Sequence, residues 1–292
     1  MPSPILSRRG LMLSGLAAGG LALAGCGRGD EAGDPPVPAS AMTLEEAVAG
    51  GWRDPQDVAR DAARHPVETL TFFGLKPGMT VVEVWPGAGW YTDILAPFLA
   101  ASNGKLYAAN LQPNDPAAIE VVEAYRAKLR ARPRLYGDVE ITAFGATSGP
   151  MAPAGSADLV LTARNIHNWM AAGIVDKAFA DAFAALKPGG IFGVVEHRAN
   201  PGGVQDPAAG NGYVEQAYVA RLGQEAGFIL AEASEINANP RDTKDHPFGV
   251  WTLPPVRRTS ARGEPADPNF DSSPYDAIGE SDRMTLRFVK PT

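Results

Sequence analysis

The sequence predicts an α/β fold built on an open, mostly parallel sheet of seven strands with helices on both faces. Two observations support this prediction. From Leu44 onward, segments with helical and strand patterns alternate along the chain, which is typical of sheets whose strands are joined by helices. The strand segments are continuous apolar runs, as expected of strands that are covered on both faces. Ligands in such sheets bind beyond the carboxyl ends of the strands, so the residues that follow each strand are candidates for a site.

The predicted strands are short segments bounded by turns or polar residues. In chain order they are 80–85 (TVVEVW), 105–111 (KLYAANL), 139–145 (VEITAFG), 157–165 (ADLVLTARN), 191–198 (IFGVVEHR), 228–236 (FILAEASEI) and 283–289 (RMTLRFV). Pro-Gly pairs in LKPGM and LKPGG predict turns before the first and fifth strands. The fourth strand is expected to run into a polar loop, IHNW.

Amphipathic patterns predict helices in most of the remaining segments. They are 54–75, 91–101, 116–132, 172–186 and 212–227. The first should break at His65–Pro66, because a residue before proline disfavours the helical conformation.

Charge and composition exclude one class of partner. The chain has 292 residues, a net charge of -7 and 45% hydrophobic residues, which suits one large globular domain. An acidic chain without a basic run does not neutralise phosphates. We therefore expect no nucleic-acid partner.

The first residues have the pattern of a targeting segment. Residues 7–26 contain Arg8-Arg9, an apolar stretch and small residues that lead to Cys26. This pattern resembles a bacterial twin-arginine export signal followed by a lipobox, which implies cleavage before Cys26 and lipidation of its thiol. The predicted parts are then a signal (1–25), a flexible tether (26–41) and a domain (42–292), held at the cell envelope or periplasm by the lipid on Cys26 alone. The alternative is a cytosolic protein with an apolar N-terminus.

Three motifs share their order with a known family. They are LKPGMTVVEVWPGAGWYT, ADLVLTARNIHNW and ALKPGGIFGVVEH. In this order they resemble the class I S-adenosylmethionine-dependent methyltransferases, and more narrowly a group of exported bacterial predicted methyltransferases. The resemblance covers roughly residues 45–290. It implies a Rossmann-like fold and S-adenosylmethionine as the cofactor.

The resemblance also indicates which residues would bind the cofactor. Glycines after the first strand allow close approach of the backbone, and the strand acid would contact the amino-acid part of the cofactor. The residues so assigned are Glu83, Trp85, Gly87, Gly89, Tyr91, Asn110 and Asn165. A carboxylate paired with a nearby arginine is the alternative for Glu83.

This chain departs from the family pattern at three positions. Trp85 stands where the family has its first loop glycine, and Asn110 stands where an acid usually binds both ribose hydroxyls. FGATSG follows the third strand, where an acid often meets the adenine amino group.

Histidines at the predicted strand ends are the catalytic candidates. The residues so assigned are His167, His197, His246 and Glu196. A histidine there would act as a general base on a substrate hydroxyl or amine. Alternatively, the three histidines bind a divalent metal, or each is a hydrogen-bonded structural residue. Because no short H-x-x-H-type spacing occurs, we assign no metal ligands.

The long segment between the last two strands, 237–283, is rich in proline, charge and aromatic residues. Loops of this length are functional lids or disordered, and the aromatic residues favour packing. We predict a lid-like insertion that brings Asp245 and His246 toward the strand ends.

The leading hypothesis is a lipid-anchored, exported methyltransferase that acts on a small molecule. One alternative is the same fold used by a periplasmic small-molecule-binding protein, or by an enzyme that depends on metal or histidine without transferring methyl groups. Another is a structural lipoprotein of the envelope.

Overall fold

The computed structural model describes residues 42–292, which contain a seven-stranded sheet of order β3-β2-β1-β4-β5-β7-β6. The strands are β1 (Thr80–Val84), β2 (Lys105–Leu111), β3 (Val139–Phe144), β4 (Ala157–Ala163), β5 (Leu186–His197), β6 (Ile229–Ser234) and β7 (Arg283–Val289). Strands β1 to β5 run parallel, whereas β7 is antiparallel to β5 and β6. The prediction of a mostly parallel seven-stranded sheet is therefore confirmed. The predicted signal and tether lie outside the described residues.

Helices precede the sheet and connect its strands. They are α1 (Leu44–Val48), α2 (Pro55–Val58), α3 (Asp61–Arg64), α4 (Pro66–Phe72), α5 (Thr92–Ala100), α6 (Pro116–Ala131), α7 (Pro133–Tyr136), α8 (Ile166–Ala171), α9 (Val175–Ala185), α10 (Gln216–Glu225) and α11 (Ser273–Ile278). The predicted break at His65–Pro66 is present, and His65 takes a left-handed conformation there. None of the helices within residues 42–292 is long and apolar enough to cross a membrane.

Two hydrophobic cores cover the two faces of the sheet. Successive residues of β1 point to opposite faces, so Val81 packs in one core and Val82 and Val84 in the other. All three are buried. The continuous apolar pattern of the central strands β1 and β4 reflects this double coverage, whereas the edge strand β6 is exposed along most of its length.

Two local predictions need correction. The IHNW segment is the helix α8 rather than a loop. The LKPGG segment is the start of β5 rather than a separate turn, and the pairing of β4 with β5 shifts between Ala157 and Leu159 to accommodate it.

The connection from Ser234 to Arg283 is folded against the domain. It contains a 3₁₀ turn, Gly249–Thr252, and the short helix α11. The ring of Phe270 stacks on that of Tyr275, with centroids 5.5 Å apart. The packing expected from its aromatic residues is therefore present.

Candidate active site

The loop after β1 is shaped by residues with positive φ. Trp85 has φ 49°, Gly87 has φ 60° and Gly89 has φ 89°. A side chain at Gly87 would meet no atom within 4 Å, so the backbone there faces open space. Trp85 is unusual because a bulky residue at positive φ is a strained outlier.

Glu83 ends its strand in a buried hydrogen-bond chain. Its Oε2 accepts a hydrogen bond from the Thr92 hydroxyl at 2.6 Å, and that hydroxyl also lies 2.9 Å from the Tyr125 hydroxyl. Burial raises the pKa of Glu83 to about 7. Among residues 42–292 no arginine forms an ion pair with Glu83, so the alternative interpretation of this carboxylate does not apply.

A first cavity, here called the loop cavity, lies beside this loop and has a volume of about 220 Å³. Of the predicted cofactor-binding residues, it is lined by Glu83, Trp85, Gly87, Tyr91 and Asn165. Asn165 also holds the loop in place, since its Nδ2 donates to the carbonyl oxygen of Val84 at 2.9 Å.

Two predicted cofactor residues do not line the loop cavity. At Gly89 an added Cβ would lie 3.1 Å from Nζ of Lys128, so this glycine lets α6 approach the loop. Asn110 is buried at 1% exposure. Its Oδ1 accepts from the N–H of Leu111 at 2.8 Å, while its Nδ2 has no hydrogen-bond partner among the residues described.

A second cavity, here called the outer cavity, lies at the ends of β2 and β3 and has a volume of about 420 Å³. Its lining includes Leu111, Phe144 and Gly145, together with Trp85. Trp85 therefore forms a wall of both cavities.

The indole of Trp85 crosses the end of β2. Its Nε1 donates to the carbonyl oxygen of Phe144, the last residue of β3, at 2.9 Å. Because β2 lies between β1 and β3, a side chain that starts after β1 and reaches β3 must pass over β2. The ring also packs edge-on against Trp169, with centroids 6.0 Å apart.

The third cavity, here called the histidine cavity, has a volume of about 170 Å³. It is lined by Arg164, His167 and His197 from the sheet edge, and by Trp251 and Ser281 from the connection between β6 and β7. Arg164 also lines the loop cavity. The connection therefore contributes residues to this cavity, and its role as a lid stays a prediction.

Glu196 fixes the orientation of His167 from behind the cavity. Its Oε1 lies 2.9 Å from Nδ1 of His167 and accepts the N–H of His197 at 2.9 Å, while its Oε2 accepts the N–H of Ile166 at 2.6 Å. Because both oxygens already face N–H donors, the carboxylate acts as an acceptor, and Nδ1 of the neutral ring carries the hydrogen. Nε2 of His167 is then left with a lone pair. Glu196 itself is completely buried, so it is a positioning residue.

His197 lies beside His167, with ring centroids 5.3 Å apart. Its Nδ1 is 2.6 Å from the hydroxyl of Ser281. Burial lowers its pKa well below the ordinary value, and the nearby His167, Arg164 and Arg283 lower it further. His197 is therefore neutral at physiological pH.

The structure does not bring His246 into this group. Its Nε2 is 2.8 Å from Oδ1 of Asp242, and it lines none of the three cavities. Asp245 is exposed and accepts a hydrogen bond from Thr243. The expectation that the lid carries His246 and Asp245 to the strand ends is therefore not met.

A metal ion is a weaker interpretation of the histidine cavity than proton transfer. One ligand atom each from His167, Glu196 and His197 lie within 4.8 Å of one another. The oxygens of Glu196 are already engaged by N–H donors. A metal ion would have to displace these hydrogen bonds to use the carboxylate as a ligand.

Several lining residues were not among the predicted ones. Arg164 follows β4 directly and precedes Asn165, so its position after a parallel strand could have marked it as a candidate site residue. Arg60, Arg64 and Glu280 come from helices and a connection whose paths depend on tertiary packing, and no local pattern marks them.

The comparisons with known proteins identify the fold. No family model matches the chain, and a search of curated proteins found no relative in sequence. Solved structures of similar fold include a SAM dependent methyltransferase from Aquifex aeolicus, with TM-score 0.50 and 21% identity over 67% of this chain and 94% of that chain. The chain has a methyltransferase fold.

Two further structures show the range of proteins that share this fold. The [4+2]-cyclase SpnF matches with TM-score 0.52 and 17% identity over 85% of this chain and 92% of that chain. A chain from the complex of the Haloferax volcanii Trm112 methyltransferase activator and a methyltransferase matches with TM-score 0.50 and 16% identity, over 81% and 93% of the two chains. Since a cyclase is among them, the function of this chain must be argued from its site.

Proposed function

We propose that this protein is an exported, lipid-anchored methyltransferase that uses S-adenosylmethionine and acts on a small molecule, with His167 removing the proton. The observation that carries the proposal is that Arg164 lines both the loop cavity and the histidine cavity. His167 therefore lies in a cavity that adjoins the loop cavity, which supports its role as the base. Methyl transfer requires alignment of the reactants and removal of one proton.

The residues of the loop cavity fit the amino-acid end of the cofactor. Glu83 offers its carboxylate to the ammonium group of the cofactor. The outer cavity, with an apolar wall that includes Leu111 and Phe144, fits the nucleoside end. A single ligand reaches both cavities only past the indole of Trp85. When bound, S-adenosylmethionine supplies a methyl group on a positively charged sulfur.

The chain's own residues provide the base and the dry surroundings. Glu196 keeps Nδ1 of His167 protonated and directs the lone pair of Nε2 to the cavity. His197 stays neutral and so does not repel a proton that arrives on His167. Trp251 covers the site from above, with its ring 6.0 Å from that of His167. A cavity of about 170 Å³ admits only a small acceptor or the end of a larger one.

The export and anchoring part of the proposal rests on the sequence. Arg8-Arg9, the apolar stretch and the Leu23-Ala24-Gly25-Cys26 segment support processing and lipidation at Cys26. A C26S variant should remain soluble after cell fractionation, whereas the parent chain should sediment with membranes. A parent chain that stays in the soluble fraction would contradict this part.

Isothermal titration of the purified chain with S-adenosylmethionine and S-adenosylhomocysteine tests the main proposal. We expect both to bind, and an E83Q variant to bind both more weakly because a neutral amide loses the charge attraction to the ammonium group. If neither compound binds the parent chain at millimolar concentration, the proposal is wrong.

The position of Trp85 favours a second candidate. An indole that lies across the strand ends suits a fold adapted to another ligand, either as a small-molecule-binding protein or as a histidine-dependent enzyme without methyl transfer. This candidate would be supported if the chain binds neither S-adenosylmethionine nor S-adenosylhomocysteine, yet carries a small molecule or a stoichiometric metal ion through purification.

A further inference from the structure

Four arginine side chains surround one glutamate between the loop cavity and the histidine cavity. Nε of Arg60 lies 2.8 Å from Glu280, Nε of Arg64 lies 3.0 Å away and Nη1 of Arg283 lies 3.1 Å away. The fourth, Arg164, faces the same carboxylate electrostatically. We call these five residues the arginine cluster.

The arginine cluster has more positive than negative charge. The three ion-paired arginines share the single carboxylate of Glu280. Their only further ion pair within the described residues is a contact of 3.8 Å between Asp57 and Arg60. Arg64 and Arg283 are buried, at 4% and 3% exposure. Buried charge is costly unless it is paired, so this excess indicates a missing anion.

Three donors of the arginine cluster have no acceptor. Nη2 of Arg60, Nη2 of Arg64 and Nε of Arg283 are buried without a hydrogen-bond partner among residues 42–292. Arg60 and Arg64 line the loop cavity. Buried polar groups in folded proteins are nearly always satisfied, so these donors point to an acceptor that comes from a ligand.

Arg164 is the member best placed to bind that ligand. Within residues 42–292 its guanidinium has no ion pair and no hydrogen bond, whereas its N–H is bonded to the carbonyl oxygen of Val195. Burial lowers its pKa to about 10, Glu280 opposes this, and Arg283 and Arg60 lower it further. It lines both the loop cavity and the histidine cavity.

We infer that the acceptor is an acid, whose carboxylate or phosphate group is bound by Arg164 with the arginine cluster while its reacting hydroxyl or amine lies at Nε2 of His167. This inference rests on the proposed function. A guanidinium matches two oxygens of a carboxylate or phosphate with parallel hydrogen bonds. Anchoring of one end at Arg164 fixes the other end in the same cavity as the base.

Unfolding temperatures measured with inorganic phosphate and with acetate, at constant ionic strength with chloride, test the anion site. At about ten times the dissociation constant, the bound anion should raise the unfolding temperature of the full-length chain by about 2–4 °C. R164Q should lose this rise. R221Q, a matched change on an exposed arginine, should keep it. A response to phosphate alone would assign the group as a phosphate, and a response to acetate as a carboxylate.

Two outcomes would overturn the inference. One is a parent chain that responds no more to phosphate and acetate than to chloride, and the other is an R164Q variant that responds fully. If R164Q does not fold, R164K replaces it, since lysine keeps the charge but lacks the planar fork. The anion affinity of R164K should then fall at least about tenfold.

Competition with S-adenosylmethionine separates the acceptor's acid from the cofactor's own carboxylate. We expect saturating phosphate to leave the affinity of the parent chain for S-adenosylmethionine unchanged. Direct competition between the two would overturn the assignment to the acceptor. If the parent chain binds no S-adenosylmethionine, the proposed function fails, and the anion titration still decides whether the arginine cluster is an anion site.

Discussion

Glu196 Oε1 lies 2.9 Å from Nδ1 of His167, and the same oxygen accepts the N–H of the adjacent His197 at 2.9 Å. One carboxylate thus fixes both the ring of His167 and the backbone of its neighbour. The pair resembles the acid–histidine part of hydrolytic triads, in which the carboxylate selects the tautomer of the base.

Removal of the base should reduce turnover without loss of cofactor binding. An H167N variant lacks Nε2, so we expect its kcat to fall about 10²- to 10⁴-fold. E196Q should reduce kcat by less, because the ring remains but its tautomer is no longer fixed. Steady-state kinetics and titration of S-adenosylmethionine check this. N168A, an exposed change on the same helix α8, is the control, and equal kcat in H167N and N168A would contradict the role of His167.

Glu83 should make stability depend on pH. Its pKa rises from 4.5 to about 7 on folding, so the folded state holds a proton between these values that the unfolded state has lost. The stability of the parent chain should therefore fall as the pH rises from 4.5 to 7. E83Q removes this loss and should be more stable than the parent at pH 8, by about 3 kcal/mol, but not at pH 4.5.

Urea unfolding at the two pH values measures this difference. E264Q changes an exposed carboxylate and should show the same small effect at both. An E83Q effect that does not change with pH would mean that burial of Glu83 is compensated in another way.

Trp85 should limit access to the strand ends. W85G removes the indole and suits the positive φ, so a nucleoside no longer has to displace a hydrogen bond and several ring contacts. These interactions are together worth about 2 kcal/mol, so adenosine should bind W85G at least about tenfold more tightly than the parent. W85F keeps a ring at this position and is the control. Equal affinity in all three chains would show that the indole does not obstruct the ligand.

Gly249 should be required for the cover of the histidine cavity. It has φ 59°, and an added Cβ would lie 2.2 Å from the carbonyl oxygen of Asn211. G249A should therefore be destabilised by about 2–4 kcal/mol. Gly263 also has positive φ, but an added Cβ there meets no atom within 4 Å. G263A should cost about 1 kcal/mol, and similar unfolding temperatures for the two variants would contradict the steric argument.

The central strands β1 and β4 could be predicted because their apolar runs report burial on both faces, a property that depends little on the rest of the chain. The edge strand β6 does not follow this rule, since none of its residues is buried. Helix α8 could not be predicted, since its polar sequence forms a helix only where Ile166 and Trp169 are buried in the core. The start of β5 was missed because Pro-Gly-Gly is typical of a turn. Here Leu186 before it pairs with β4, and Ile191 after it pairs with both β4 and β7.

The site was predicted where sequence position alone sets its geometry. Glu83 lies near the end of β1, while Gly87 follows β1 and His167 follows β4. Because these strands are parallel, the position of the three residues at one edge depends only on the order of the elements. His246 lies in a long connection whose path is set by packing, and its partner is Asp242 rather than the cavity. The arginine cluster joins α3 and its preceding residue to the end of the β6–β7 connection, far apart in the chain, and no local pattern predicts such a meeting.

The position of β7 also determines when the cavities can form. This strand follows the other described strands in the chain, yet it inserts between β5 and β6. Glu280 and Ser281 lie just before it and reach the arginines and His197 only when it has paired. A chain still emerging from the ribosome can build the parallel half of the sheet first, but it lacks Glu280 beside the arginines and Ser281 beside His197. A nascent chain therefore cannot complete the histidine cavity until β7 has been synthesised and has paired.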